Sequence, residues 1–147
     1  MKQLITIVLM VISLGFINAQ EMATDFGAVS SEAQASHKPI VLVFSGSDWC
    51  IPCMKLKKFI LDTPAFQESM KEDYLLVNAD FPQKKKNKDI QSQALQLQNK
   101  TLAEKYNTNG YFPLVVVLDE NQKVLGQLTY EDLSPEEYAN KIKAFVK

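Results

Sequence analysis

Two cysteines stand three positions apart in Trp49-Cys50-Ile51-Pro52-Cys53, and they are the only cysteines in the 147-residue chain. Such a pair can do chemistry without a cofactor. One sulfur attacks a disulfide and holds a mixed disulfide, and the other displaces it by closing on the first. The apolar run from Pro39 to Phe44 leads into the pair and the helical-looking run from Met54 to Leu61 leads out. The cysteines therefore fall at a strand-to-helix junction. The first turn of a helix has N–H groups without intrahelical partners, and the positive end of its dipole favours a thiolate. Cys50, at the helix start, is the expected nucleophile. Cys53, one turn inside, is the expected resolving thiol. Pro52 sits in the first turn, where a missing N–H costs little.

Other uses of the pair are weaker. A disulfide across two residues cross-links almost no chain, so it makes a poor staple. A pair of inert core thiols is the bland alternative. Zinc needs three or four ligands, and beside the cysteines only His37 is an obvious candidate. His37 precedes the first strand and is expected on the surface without a role. A peroxidase would need an activating donor such as arginine, and the chain has none. No metal and no cofactor is expected beyond the redox-active disulfide itself.

The elements that must hold this pair follow from pattern. Phe26, Val29 and Ala33 lie at helical spacing, with Thr24 or Asp25 as cap. Pro39 to Ser45 is a strand whose continuous apolar character predicts a central place, buried on both faces. Leu56, Phe59 and Ile60 give the helix from Cys50 an apolar stripe. Asp62-Thr63-Pro64 breaks it and starts a short helix with Phe66 and Met70 inward. Tyr74 to Ala79 reads as a second central strand. Asp89 to Tyr106 reads as one long helix with Ile90, Ala94, Leu97 and Leu102 on one side. Pro113 to Asp119 and Lys123 to Tyr130 form a hairpin. Ser134-Pro135-Glu136-Glu137 carries a capping box that starts a last helix, with Tyr138, Ile142 and Phe145 inward. This order predicts an α/β fold: a central mixed sheet flanked by helices on both faces.

Composition narrows the class. Apolar residues make up 46% of the chain, enough for one core, and the formal net charge is −1. That balance argues against nucleic acid as a partner. Every basic side chain apart from the lone histidine is a lysine, so bidentate guanidinium recognition is excluded. Lys84-Lys85-Lys86 with Lys88 is either a docking patch for an acidic partner or a solvated loop. Asn99-Lys100-Thr101 would be a glycosylation acceptor only in a eukaryotic secretory pathway.

Lys2, the apolar stretch from Leu4 to Ile17 and the small residue Ala19 predict a signal peptide over residues 1–19. The stretch is shorter than the ~20 residues of a spanning helix, though an uncleaved anchor is the rival. Export, to a periplasm or outside the cell, would place the cysteines where disulfides persist.

The W-C-x-P-C pattern after an apolar strand, with Tyr111-Phe112-Pro113-Leu114 before another apolar strand, resembles the thioredoxin superfamily. The resemblance covers roughly Lys38 to Lys147 and implies the thioredoxin fold for residues 20–147. It implies that Pro113 is a cis-proline facing the cysteines and that Phe112 offers backbone hydrogen bonds to a bound peptide. It also implies that Trp49, with Ile51 and Pro52, shapes the substrate surface. Implied partners are protein or peptide disulfides and a thiol electron donor, a membrane reductase among the candidates. The chain would act as a monomer without stable membrane insertion.

Three departures stand out. The buried aspartate of thioredoxin aligns with Phe44 and its lysine partner with Leu76, so the usual proton relay to the resolving thiol is missing. Asp48 is a substitute only if it is not simply exposed. Ile-Pro replaces Gly-Pro between the cysteines. The segment from Gln83 to Lys100 is longer than in a minimal thioredoxin. These features look more like the exported thioredoxin-like proteins of bacterial envelopes, including the soluble reductase modules that pass electrons from a membrane donor. With no histidine or arginine inside the motif, the expected potential lies nearer about −270 mV than about −120 mV. Rivals are an oxidase or isomerase of the same fold, and a non-catalytic binding or chaperone module.

Overall fold

The computed structural model describes residues 22–146, so the expected leader at residues 1–19 lies outside the described residues. The elements run α1 (Phe26–Ser36), β1 (Ile40–Ser45), α2 (Ile51–Leu56), a π-helical turn (Lys57–Leu61), α3 (Pro64–Met70) and β2 (Leu75–Asp80). Then come α4 (Lys85–Ile90), α5 (Gln93–Tyr106), β3 (Leu114–Leu118), β4 (Val124–Leu128) and α6 (Pro135–Lys143).

The sheet order is β2-β1-β3-β4. β1 pairs parallel with β2 and antiparallel with β3, and β4 returns antiparallel on β3. Side chains alternate across the sheet, so β1 and β3 each feed two cores. Ile40, Leu42 and Phe44 pack with Leu114, Val116 and Leu118 under α1 and α5. Val41 and Val43 pack with Val115 and Val117 against α2, α3 and α6. The result is the three-layer mixed α/β arrangement that the pattern predicts.

Several helix starts are set by single side chains. Asp25, rather than Thr24, caps α1 by accepting from the Ala28 N–H at 3.0 Å. Thr63 caps α3, with Pro64 in its first turn. At α6 the capping box forms as its sequence predicts: Ser134 Oγ accepts from Glu137 N–H, and the Glu137 carboxylate accepts from Ser134 N–H. The backbone N–H of Ser134 holds the Glu137 carboxyl below its ordinary range.

Three expectations are corrected. β2 is an edge strand, not a central one, and Ala23 adds a short parallel bridge at Val77 along its outer side. The π-helical turn after Leu56 shifts the phase of the helix, because an extra residue in one turn rotates every later side chain about the axis. Leu56, Ile60 and Leu61 point inward while Phe59 is left exposed. The stretch from Asp89 to Tyr106 is not one helix. Ser92 takes an extended conformation and its hydroxyl caps a new helix at Leu95 N–H, and that cap outweighs the continuous helical pattern. The restart changes the face: Asn99, Leu102 and Tyr106 are buried, whereas Ile90, Ala94 and Leu97 are exposed.

Candidate active site

The loop between β1 and α2 is held from β2. The Asp80 carboxylate accepts from Ser47 N–H at 2.8 Å, Ser47 Oγ at 2.6 Å and Ser45 Oγ at 3.3 Å. The Gly46 carbonyl accepts the Cys50 N–H at 2.9 Å, which closes the turn. Gly46 is required for space, since a Cβ there would fall inside the Trp49 ring.

This turn delivers Cys50 to the N-cap of α2, where its sulfur accepts the Cys53 N–H at 3.3 Å. Pro52 lies in the first turn, as its position predicts. Cys50 and Cys53 are joined in a disulfide. Both are almost fully buried, but their surroundings differ. Cys50 is flanked by exposed Trp49 and Ile51. Cys53 lines an inner cavity of about 170 Å³ with Val43, Ser45, Leu56, Asn78 and Pro113. The Phe112–Pro113 peptide bond is cis.

That cavity revises one expectation. Phe44 and Leu76 do not line it. Phe44 lies on the opposite face of the sheet, under α1 and α5. The β1 and β2 residues paired beside Cys53 are Val43 and Asn78. Among the described residues no carboxylate lines the cavity; its polar lining is Ser45, Ser47, Lys57 and Asn78, and the Ser45 hydroxyl donates to Asn78 Oδ1 at 2.8 Å.

Asp48 is neither freely exposed nor beside the cysteine sulfurs. Its carboxylate accepts from Gln83 N–H, Lys84 N–H and Asn87 Nδ2 at 2.8–2.9 Å. The Gln83 N–H foremost, with the Asn87 amide and Lys84 N–H, holds it below the ordinary carboxylate range against a smaller opposing effect of desolvation. Asp48 thus ties the segment before α4 to the cysteine loop.

Trp49 Nε1 donates to the Phe81 carbonyl at 2.7 Å. Its ring meets Phe112 edge-on at 5.3 Å, and Phe112 meets Phe81 at 5.5 Å. The Trp49, Phe81 and Phe112 cluster is a rigid aromatic wall beside the disulfide. Phe81, which follows β2, joins this cluster through contacts that no sequence motif signals. His37 is a surface residue that ends α1 in a left-handed conformation. Among the described residues no three His, Cys, Asp or Glu side chains form a metal cluster.

Residues 26–145 match the family model of the thioredoxin-like domain. The chain belongs to that family. Its thioredoxin-like domain is 34% identical over 115 residues to the disulfide bond reductase DsbH of Chlamydia pneumoniae, covering 78% of this chain and 66% of that protein. It is 25% identical over 99 residues to the thioredoxin-related protein DsbJ of the same organism, covering 67% of this chain and 27% of that one. The chain therefore spans just under two thirds of the length of DsbH and about a quarter of DsbJ. A solved DsbH oxidoreductase superposes with a TM-score of 0.78 at 29% identity, over 88% of this chain and 85% of that one.

Proposed function

We propose that this chain is an exported thiol–disulfide oxidoreductase that reduces disulfides in proteins or peptides. The observation that carries the reading is the Cys50–Cys53 disulfide at the start of α2, where Cys53 shares a cavity with Pro113 of the cis Phe112–Pro113 bond. Cys50 is the nucleophile, because its sulfur sits at the helix N-terminus beside the exposed apolar rim. Cys53 resolves, because it lies inward. Trp49, Ile51, Pro52, Phe112 and Pro113 form the supporting surface.

The exchange balances in two steps. The Cys50 thiolate attacks a substrate sulfur, and the Cys50–substrate disulfide forms as the substrate disulfide breaks and releases one thiolate. The Cys53 thiolate then attacks Cys50, the Cys50–Cys53 disulfide forms, and the second substrate thiolate leaves. The dithiol loses two electrons and two protons, and the substrate gains both. A thiol donor of the same class, such as a membrane reductase, reverses the oxidation.

Residues 1–19 act as the leader and 20–147 as the working domain, in a periplasm or outside the cell. Among the described residues no helix is long and apolar enough to cross a membrane. The reducing direction is supported by the name of the DsbH relative and by the absence of histidine or arginine from the motif. Equilibration of the purified protein against a series of thiol buffers tests it. A potential below about −230 mV supports a reductase, and one between about −120 and −180 mV overturns that direction in favour of an oxidase or isomerase.

A further inference from the structure

The aromatic wall beside the disulfide opens into a groove of about 620 Å³. Its lining joins the aromatic and apolar side chains Trp49, Phe81, Pro82 and Phe112 to Lys88 of α4 and Lys100 of α5. The broken helix makes this groove. Gln91 Nε2 and Asn99 Nδ2 both donate to the Asp80 carbonyl at 3.1 Å, which draws the α4–α5 corner onto the end of β2. Gln96 Nε2 closes the corner by donating to the Lys88 and Gln91 carbonyls. The amides on that side are thus engaged in holding the wall.

The lysines are not. Among the described residues, the ion pairs of this region are Lys85 with Asp89 and a loose contact of Lys100 with Glu104 at 3.8 Å, and neither engages Lys88. Asp80 is the single acid in the lining, and its carboxylate is turned to Ser45 and Ser47. The groove therefore combines an aromatic part, which includes Trp49 next to Cys50, with lysines from α4 and α5.

We infer that this groove is a specificity subsite for substrate segments that carry acidic side chains near the reacting cysteine. The inference rests on the redox reading above, since the groove is continuous with the rim of the Cys50–Cys53 pair. A substrate cysteine at Cys50 leaves its neighbours free to lie along Trp49 and Phe112. Carboxylates a few residues away then meet Lys88 and Lys100. The lysine run is thus a docking surface rather than only a solvated loop. Exposed charges of this kind act at modest strength and are screened by salt.

The test uses two short synthetic peptides that differ only in Glu or Gln on both sides of one cysteine. Each cysteine is blocked as its mixed disulfide with 2-mercaptoethanol. The protein and its K88Q/K100Q variant are first reduced to the dithiol and freed of excess reductant, and their single-turnover rates of peptide reduction are compared at low and high salt. The expected result is a preference of about five-fold for the Glu peptide at low salt, largely lost at high salt and in the double variant. Equal rates for both peptides overturn the inference, as does a preference that K88Q/K100Q retains. Bis(2-hydroxyethyl) disulfide separates the two layers. If it and both peptides are reduced without preference, the subsite falls and the redox reading stands. If none is reduced, both fall.

Discussion

Gly46→Ala tests the placement of Trp49 through the sign of a stability change. Gly46 does not have a positive φ among the described residues, so alanine is allowed there by the backbone. On backbone grounds alone the substitution would stabilise by about 0.4–1 kcal/mol, through a less disordered unfolded chain. The new Cβ, however, would fall inside the Trp49 ring. If the ring moves, the bond from Nε1 to the Phe81 carbonyl is lost, which costs about 0.5–1.5 kcal/mol. The edge contact with Phe112 is lost as well, at a similar ~0.5–1.5 kcal/mol. Loss outweighs gain, and the net change is destabilising by roughly 0.5–2 kcal/mol. Trp49 is the only tryptophan, so its emission reports the site directly. Urea unfolding followed by fluorescence should show an emission shift in the folded state and a midpoint lowered by roughly 0.5 M. Disulfide reduction should slow while the Cys50–Cys53 disulfide still forms. A variant that is more stable than the parent, with unchanged emission, would refute the close approach of Trp49 to Gly46.

Two further substitutions probe other parts of the frame. Asp48→Asn should loosen the segment before α4, seen as faster amide exchange at Gln83 and Lys84, the two backbone donors to Asp48. The folded carboxyl lies below its ordinary value of 3.8, so its contribution is present above that pH and fades as pH falls through the folded value. Acid unfolding of the variant should accordingly be less steep, and unchanged exchange together with an unchanged acid limb would contradict the tether. Tyr138→Phe removes a buried hydroxyl that donates to the Thr129 carbonyl at 2.9 Å, and should cost about 1–2 kcal/mol. Burial raises the Tyr138 phenol above its ordinary value of 10.0. Its contribution is therefore intact below about pH 10 and is lost as pH rises beyond it. The stability gap between parent and variant, read by urea titration, should narrow above that pH, and a constant gap would contradict the assignment.

The topology was legible because β1 and β3 are continuous apolar runs and each has a turn or cap signal at its ends. Cys50 and Cys53 were legible as types at fixed places in that pattern, and the cis Pro113 through the resemblance to the thioredoxin superfamily. What stayed hidden depended on phase and on long-range contact. The π-helical turn rotated Phe59 outward without any local signal in its composition. The Ser92 cap divided a stretch whose helical pattern was otherwise continuous, and that break set the faces of α4 and α5. The residues beside Cys53 are Val43 and Asn78 rather than Phe44 and Leu76, because Phe44 points to the α1 and α5 face of the sheet and Leu76 pairs with Val41, two residues further along the strands from the cysteines. Phe81, Lys88 and Lys100 join the site only when the α4–α5 corner folds back onto Asp80.

The central claim is that Cys50 attacks and Cys53 resolves, and trapping tests it most directly. Cys53→Ser and Cys50→Ser are each reduced and then mixed with a disulfide-bonded protein such as insulin, and the adducts are mapped by mass spectrometry. The Cys53→Ser protein should accumulate a stable mixed disulfide at Cys50, and the Cys50→Ser protein should form little adduct and have no turnover. Adducts that form chiefly at Cys53, or turnover that survives Cys50→Ser, would contradict the assignment.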